Sequence, residues 1–302
     1  MCETPQRGSR QSEWDDRMPS RDPRLGIMLM ALTMLIFATQ DALSRHLAAQ
    51  SNAISVNWIR FAFFAGVVLV AAIRRPGGLR QTFSTAVPLL QIARGLALIT
   101  QLSIFVYAFT VLGLAEAHAV FAVYPLIIVV LSAFFLRETV PPARWLAVLA
   151  GFCGVLVLLR PGLGVLRPEA LLVLCGATIF AVYSVLTRRV ARHDRPETNV
   201  AYVALIGFLA LSAAVPFFWK PVPFADWGWM ALLCVLGSLA HGLLIKVYEL
   251  VEANVVQPLA YLQLAFATAY GVILFGERPD LLTWVGMAIL IVSGAWAARS
   301  AR

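Results

Sequence analysis

Apolar runs of about twenty residues, cut by short polar or Pro/Gly breaks, set the rhythm of this chain. They fall at 25–48, 53–73, 87–110, 115–136, 143–160, 168–188, 199–219, 227–247, 254–275 and 281–298. The breaks include Arg74-Arg75-Pro76-Gly77-Gly78, Pro141-Pro142, Arg160-Pro161-Gly162, the stretch 192–197 and Lys220-Pro221. A helix of about 20 apolar residues covers the hydrocarbon core of a bilayer. Lipid offers the backbone no hydrogen-bond partner, so such segments satisfy their amides internally, as helices. The pattern predicts an all-α integral membrane protein with ten transmembrane helices.

Composition agrees. Of 302 residues, 60% are hydrophobic and 13% charged, against about 25% charged in an ordinary soluble domain. A soluble fold of this size has too little polar material to cover such a core. The four cysteines, Cys2, Cys153, Cys175 and Cys234, include no C-x-x-C pair. They support neither a disulfide framework nor a zinc site, and no metal or cofactor is expected. Residues 1–24 are polar, with five arginines against five acids, and read as a disordered cytoplasmic tail. No apolar stretch with a small-residue cleavage site follows, so a cleaved signal peptide is not expected.

The net charge is +8, but the basic residues stand singly or in pairs between apolar runs. That is a topology signal and not a nucleic-acid-binding face. With the N-terminus inside, 17 of the 24 Lys and Arg lie on the cytoplasmic side and five on the other. Arg60 and Arg94 fall within the membrane. Both termini are expected in the cytoplasm.

The chain repeats itself. Residues 37–48, Phe-Ala-Thr-Gln-Asp-Ala-Leu-Ser-Arg-His-Leu-Ala, match 180–191, Phe-Ala-Val-Tyr-Ser-Val-Leu-Thr-Arg-Arg-Val-Ala, at most positions. Glu138 and Trp145 are spaced like Glu277 and Trp284, and Ala115–Val120 echoes Val251–Val256. The repeats are expected at 25–160 and 168–298. Five helices per repeat is an odd number, so the second copy is inverted relative to the first. Inverted repeats mark transporters, with the substrate site near the midplane between halves.

These residues carry a family resemblance. The sequence resembles the drug/metabolite transporter superfamily, in its EamA branch, over nearly all of 25–298. The resemblance rests on Asp41-Ala42-Leu43-Ser44-Arg45, Trp58-Ile59-Arg60, Ala115–Pro125, Glu138, Arg160-Pro161-Gly162 and Glu277. One departure is visible: Pro125 stands thirteen residues before Glu138, and Leu264 holds the matching place before Glu277. The resemblance implies movement of amino acids, nucleosides, vitamins or similar solutes across a bacterial inner membrane. Its path is lined mainly by helices 1, 3, 4, 6, 8 and 9. The opening Asp-Ala-Leu-Ser-Arg is similar to members assigned to riboflavin or S-adenosylmethionine uptake.

Charges inside a bilayer are costly and are functional candidates by default. Asp41 and Arg60 lie at similar depth and are expected to face each other or share a cavity, as a substrate or proton site or as a structural ion pair. Arg94 either snorkels to the interface, as Lys246 does, or binds an anionic solute. Gln40, Gln101, His241 and Gln263 can hydrogen-bond a polar solute or neighbouring helices. Trp58, Tyr124, Tyr183 and Tyr261 are the aromatic candidates for the cavity. Glu138 and Glu277 are expected to be structural, capping helices 5 and 10.

The reading is a secondary carrier for a small organic metabolite, using alternating access. No nucleotide-binding domain is present to drive a pump. Two other classes stand beside it: a membrane-embedded transferase and a non-transporting partner subunit. The four histidines are scattered, which disfavours the enzyme. The bilayer and a small-molecule substrate are the expected partners; proton coupling and a homodimer are open.

Overall fold

The first apolar run folds as α1 (Pro23–Gln50) and the second as α2 (Ala53–Arg74). Asn52 between them is extended, and its side chain accepts the Ser55 amide at 2.8 Å, capping α2. α3 (Pro88–Val111) opens on a proline, which lacks only an amide that the first turn leaves unused. The fourth run is broken into α4 (Leu114–Phe121) and α5 (Tyr124–Phe135). The remaining long helices are α6 (Pro142–Leu159), α7 (Pro168–Val190), α8 (Pro196–Phe218), α9 (Trp227–Leu250), α10 (Leu262–Phe275) and α11 (Leu281–Arg299), with a short helix at Gly78–Thr82 and a 3-10 turn at Phe224–Asp226 besides. This is a computed structural model, and it describes residues 23–135, 142–159, 168–250, 259 and 262–299. Among the described residues there is no strand.

The break in the fourth run has a covalent cause. Pro125 has no N–H to give to the Phe121 carbonyl, and its ring crowds the preceding turn. The amides on either side still bond in helical fashion, Ala122 N to His118 O at 2.9 Å and Ile127 N to Val123 O at 3.3 Å. α10 is helical through Leu264, its third residue, which stands where the first repeat has its proline.

Among the described residues, seven helical stretches, those beginning at residues 24, 53, 88, 114, 168, 196 and 224, are long and apolar enough to cross a bilayer. Shorter apolar stretches lie at Val148–Val157, Leu262–Phe275 and Leu281–Ser293. Their outward faces carry large exposed apolar side chains such as Met28, Val70, Phe152 and Ile273. Half-exposed Trp219, Trp227, Trp229 and Trp284 cluster near helix ends, the usual place for a ring with one apolar and one wet edge. The chain is a multi-pass membrane protein.

The closest packing joins elements from opposite ends of the sequence: α6 with α11, α3 with α7, α1 with α9, and α2 with α8. α1 also packs on α10, α5 on α7, and α4 on α10. The centre is therefore built from α1, α3, α4, α7, α9 and α10. Small buried residues, including Ala38, Ala108, Ala117, Ala177, Ala240 and Ala267, let these backbones approach.

Candidate functional site

Asp41 sits on the inward face of α1, between buried Ala38 and Ala42. Its Oδ2 accepts two hydrogen bonds, from Gln263 Nε2 on α10 at 2.9 Å and from His118 Nε2 on α4 at 3.0 Å. His118 is 6% exposed and the Asp41 side chain 18%. The carboxylate is thus held by one group from each half of the chain.

Arg60 lies close by but bonds to a different residue. Its Nη2 donates to Gln40 Oε1 at 2.6 Å. Consecutive residues on a helix point about 100° apart, so Gln40 faces α2 and α9 while Asp41 faces α4 and α10. Gly237 on α9 lies against the Arg60–Gln40 pair: a Cβ there would be in ordinary contact with Gln40 Oε1 at 3.4 Å and Arg60 Nε at 3.6 Å. Asp41 and Arg60 thus belong to two adjacent polar pairs. Gln40 Nε2 is buried with no partner.

Aromatic rings run on from His118. Phe105 meets it edge-on with centroids 5.0 Å apart, and Phe121 lies 4.4 Å from Phe105. Tyr124 follows at 5.1 Å, Phe180 at 5.0 Å from Tyr124, and Tyr183 at 5.7 Å from Phe180. Tyr124 and Tyr183 therefore stand in this row of rings. Trp58 does not. Its Nε1 donates to Ser212 on α8 at 3.0 Å and its ring packs on Phe208 and Trp219. It ties α2 to α8.

The lane ends at Arg94, which lies 5.9 Å from the Tyr183 ring centre. Arg94 is 2% exposed. Its Nη2 donates to Gln91 Oε1 at 2.8 Å and to the Asn199 carbonyl on α8. Gln91 in turn donates to Asp194 at 2.8 Å and to Asn199 Oδ1 at 2.7 Å. Asp194 lies in the turn between α7 and α8. Partial burial raises its pKa, but bonds from Thr85, the Ala86 amide and Gln91 outweigh this and hold the carboxyl below its usual range. Gln101 is buried in α3. Lys246 is exposed on α9.

At the Gln50 end of the bundle, Glu277 is a cap, but not of α11. Its carboxylate accepts the Leu114 amide at 2.7 Å and the Ala115 amide at 2.9 Å, at the start of α4, and pairs with Arg45 of α1. The guanidinium of Arg45 also lies 4.0 Å from the Phe275 ring centre. Gly113 precedes α4 with φ +88°, and any side chain there would run into Glu277. α11 is capped instead by Asp280, which accepts from Thr283 N at 2.9 Å. Glu138, Tyr261 and the side chain of His241 lie outside the described residues.

His118 was the residue that sequence reasoning passed over. The available signal was a titratable group in the middle of an apolar run, which is a functional candidate on its own. Among the described residues, no group of His, Cys, Asp or Glu is arranged to hold a metal.

The helices cross the membrane many times and pack across the sequence around the Asp41 carboxylate. The EamA-like transporter family matches residues 24–160 and 167–298, and the chain belongs to it. It is a small-metabolite transporter. Among its relatives is the S-adenosylmethionine uptake transporter of Rickettsia bellii, 27% identical over 271 residues, covering 88% of this chain and 91% of that protein. The riboflavin transporter of Vibrio cholerae is 26% identical over 276 residues, covering 91% and 93%. The pseudopaline exporter CntI of Pseudomonas aeruginosa is 26% identical over 274 residues, covering 89% and 94%. A solved crystal structure has the same fold with a TM-score of 0.62 at 22% identity, over 91% of this chain and 96% of the other.

Proposed function

We propose that this protein is a secondary carrier that works by alternating access between two inverted five-helix halves, 25–160 and 168–298, with Asp41 as the central substrate or coupling group. Asp41 carries the reading: one carboxylate in the middle of the bundle is shared by His118 of the first half and Gln263 of the second. A group bridging two halves changes its partners when they rock, which is what coupling requires.

The packing supports the inverted repeat. Exchanging helices 1–5 with 6–10 turns the α3–α7 contact into α9–α1, and α1–α10 into α7–α5; all four are present. The loop charges support a bacterial inner-membrane location with both termini cytoplasmic, which puts the Gln50 end outside. The ring lane from Phe105 to Tyr183 suits a flat solute. Flat or amine-rich metabolites of the kinds named for the relatives are the cargo to test.

Uptake into proteoliposomes by the wild type and Asp41→Asn tests this. The solutes are S-adenosylmethionine, riboflavin, amino acids and nucleosides, and the pH is varied. Asp41→Asn is expected to lower flux by at least about tenfold, the scale of one lost charge-assisted bond, and to flatten its pH dependence. Undiminished flux at every pH removes Asp41 from the mechanism.

A further inference from the structure

We infer that Arg94 is a docking point for an acidic group of the cargo, a carboxylate or phosphate carried on a flat or aromatic body. This rests on the carrier reading above and adds the substrate's charge class to it. Arg94 is a buried cation whose partners are all neutral: an amide oxygen of Gln91, a backbone carbonyl and the face of Tyr183. Among the described residues it forms no ion pair, while Arg45 and Arg75 each have a carboxylate. Its Nε is buried with no hydrogen-bond partner. A desolvated guanidinium with an idle edge is expensive unless an anion completes it. Guanidinium edges receive carboxylate and phosphate oxygens better than other side chains do.

An acid for Arg94 is at hand and is kept away. Asp194 is bound by Thr85, the Ala86 amide and Gln91, and Gln91 stands between the two charges, accepting from Arg94 and donating to Asp194. A glutamate at position 91 would neutralise the arginine; the chain has a glutamine. Arg60 is built alike, bonded to Gln40 with the carboxylate of Asp41 next in the chain, but the edge of Arg94 at Nε is the one left without a hydrogen-bond partner. Tyr183 then connects Arg94 to the ring lane, so a ring on Phe180 and Tyr124 would trail an acidic group held by the guanidinium.

The experiment uses the full chain in proteoliposomes and solute pairs that differ in one acidic group. These are riboflavin 5′-phosphate against riboflavin, S-adenosylmethionine against its decarboxylated form, and phenylalanine against phenylalaninamide. For at least one pair, the wild type is expected to favour the acidic member about tenfold or more. Arg94→Gln is expected to lose that preference. Gln91→Glu, made together with Asp194→Asn so that no carboxylate faces another, keeps the arginine but occupies it internally, and is expected to lose the preference too, which covers the case in which Arg94→Gln fails to fold. Flux with no acidic preference, or a preference that survives this double variant, overturns this inference and leaves the carrier standing. Flux of no solute in either member overturns both.

Discussion

Two arginines near opposite ends of the bundle make opposite use of burial. Arg45 at the Gln50 end has everything a buried cation needs: the Glu277 carboxylate, the Phe275 ring, and a neighbouring helix start whose amides share the same acid. Arg94 near the Pro88 end has a ring and two neutral oxygens, but no acid. The first arrangement is closed on itself and reads as structure. The second is incomplete and reads as a place for something else. Burial alone does not mark a functional charge; the accounting of its partners does.

The comparison is open to measurement. The largest effect is expected from Glu277→Ala, which strands Arg45 and uncaps α4; thermal unfolding in detergent should show about 3 kcal/mol lost. The double variant Arg45→Met with Glu277→Ala should recover part of that, because no lone charge remains. A cycle with no coupling between the two would break the contrast. Arg94→Met should cost less, about 1 kcal/mol, because it removes a charge and strands none. A loss as large as that of Glu277→Ala would show Arg94 to be structural after all.

The smallest effect concerns Asp194, whose carboxyl is held below its usual range by the bonds it accepts. A carboxylate depressed in the folded state adds stability above its unfolded pKa of about 3.9, and that stability is lost as pH falls through the folded value. Asp194→Asn should therefore lower the melting temperature at neutral pH by about 2 °C. The difference from wild type should begin to shrink below pH about 4 and vanish once the pH is below the folded value. A difference that persists there would assign the loss to bond geometry and not to charge.

Much of the fold is legible in the hydrophobic rhythm, because each apolar run must become a helix in lipid whatever its neighbours. The ends of α1, α2, α3, α7 and α11 fall within about two residues of the run boundaries. The interruption after Phe121 was not predicted as two helices, since a proline acts on the turn before it and the run stays apolar throughout. The site was legible in depth but not in direction. Distance along a helix places Asp41 and Arg60 at one level, but 100° of rotation decides that Gln40 receives the arginine. The role of Glu277 was legible in kind and missed in target. A cap is easily assigned to the next helix in sequence, whereas this one reaches back across the fold to Leu114 and Ala115. Nothing local in the sequence reveals that Asn199 and Tyr183 cover Arg94.

The break after Phe121 leaves α4 only eight residues long. Its first two amides are gripped by Glu277 and its fifth residue, His118, grips Asp41. The two grips are about 6 Å apart along the axis at 1.5 Å per residue. So short a helix is a stiff rod pinned at both ends, with slack supplied by Gly113 on one side and the break on the other. A change of load at the central carboxylate has one helical turn to travel before it reaches the fastening at the rim. Half the thickness of the membrane need not deform to carry the message.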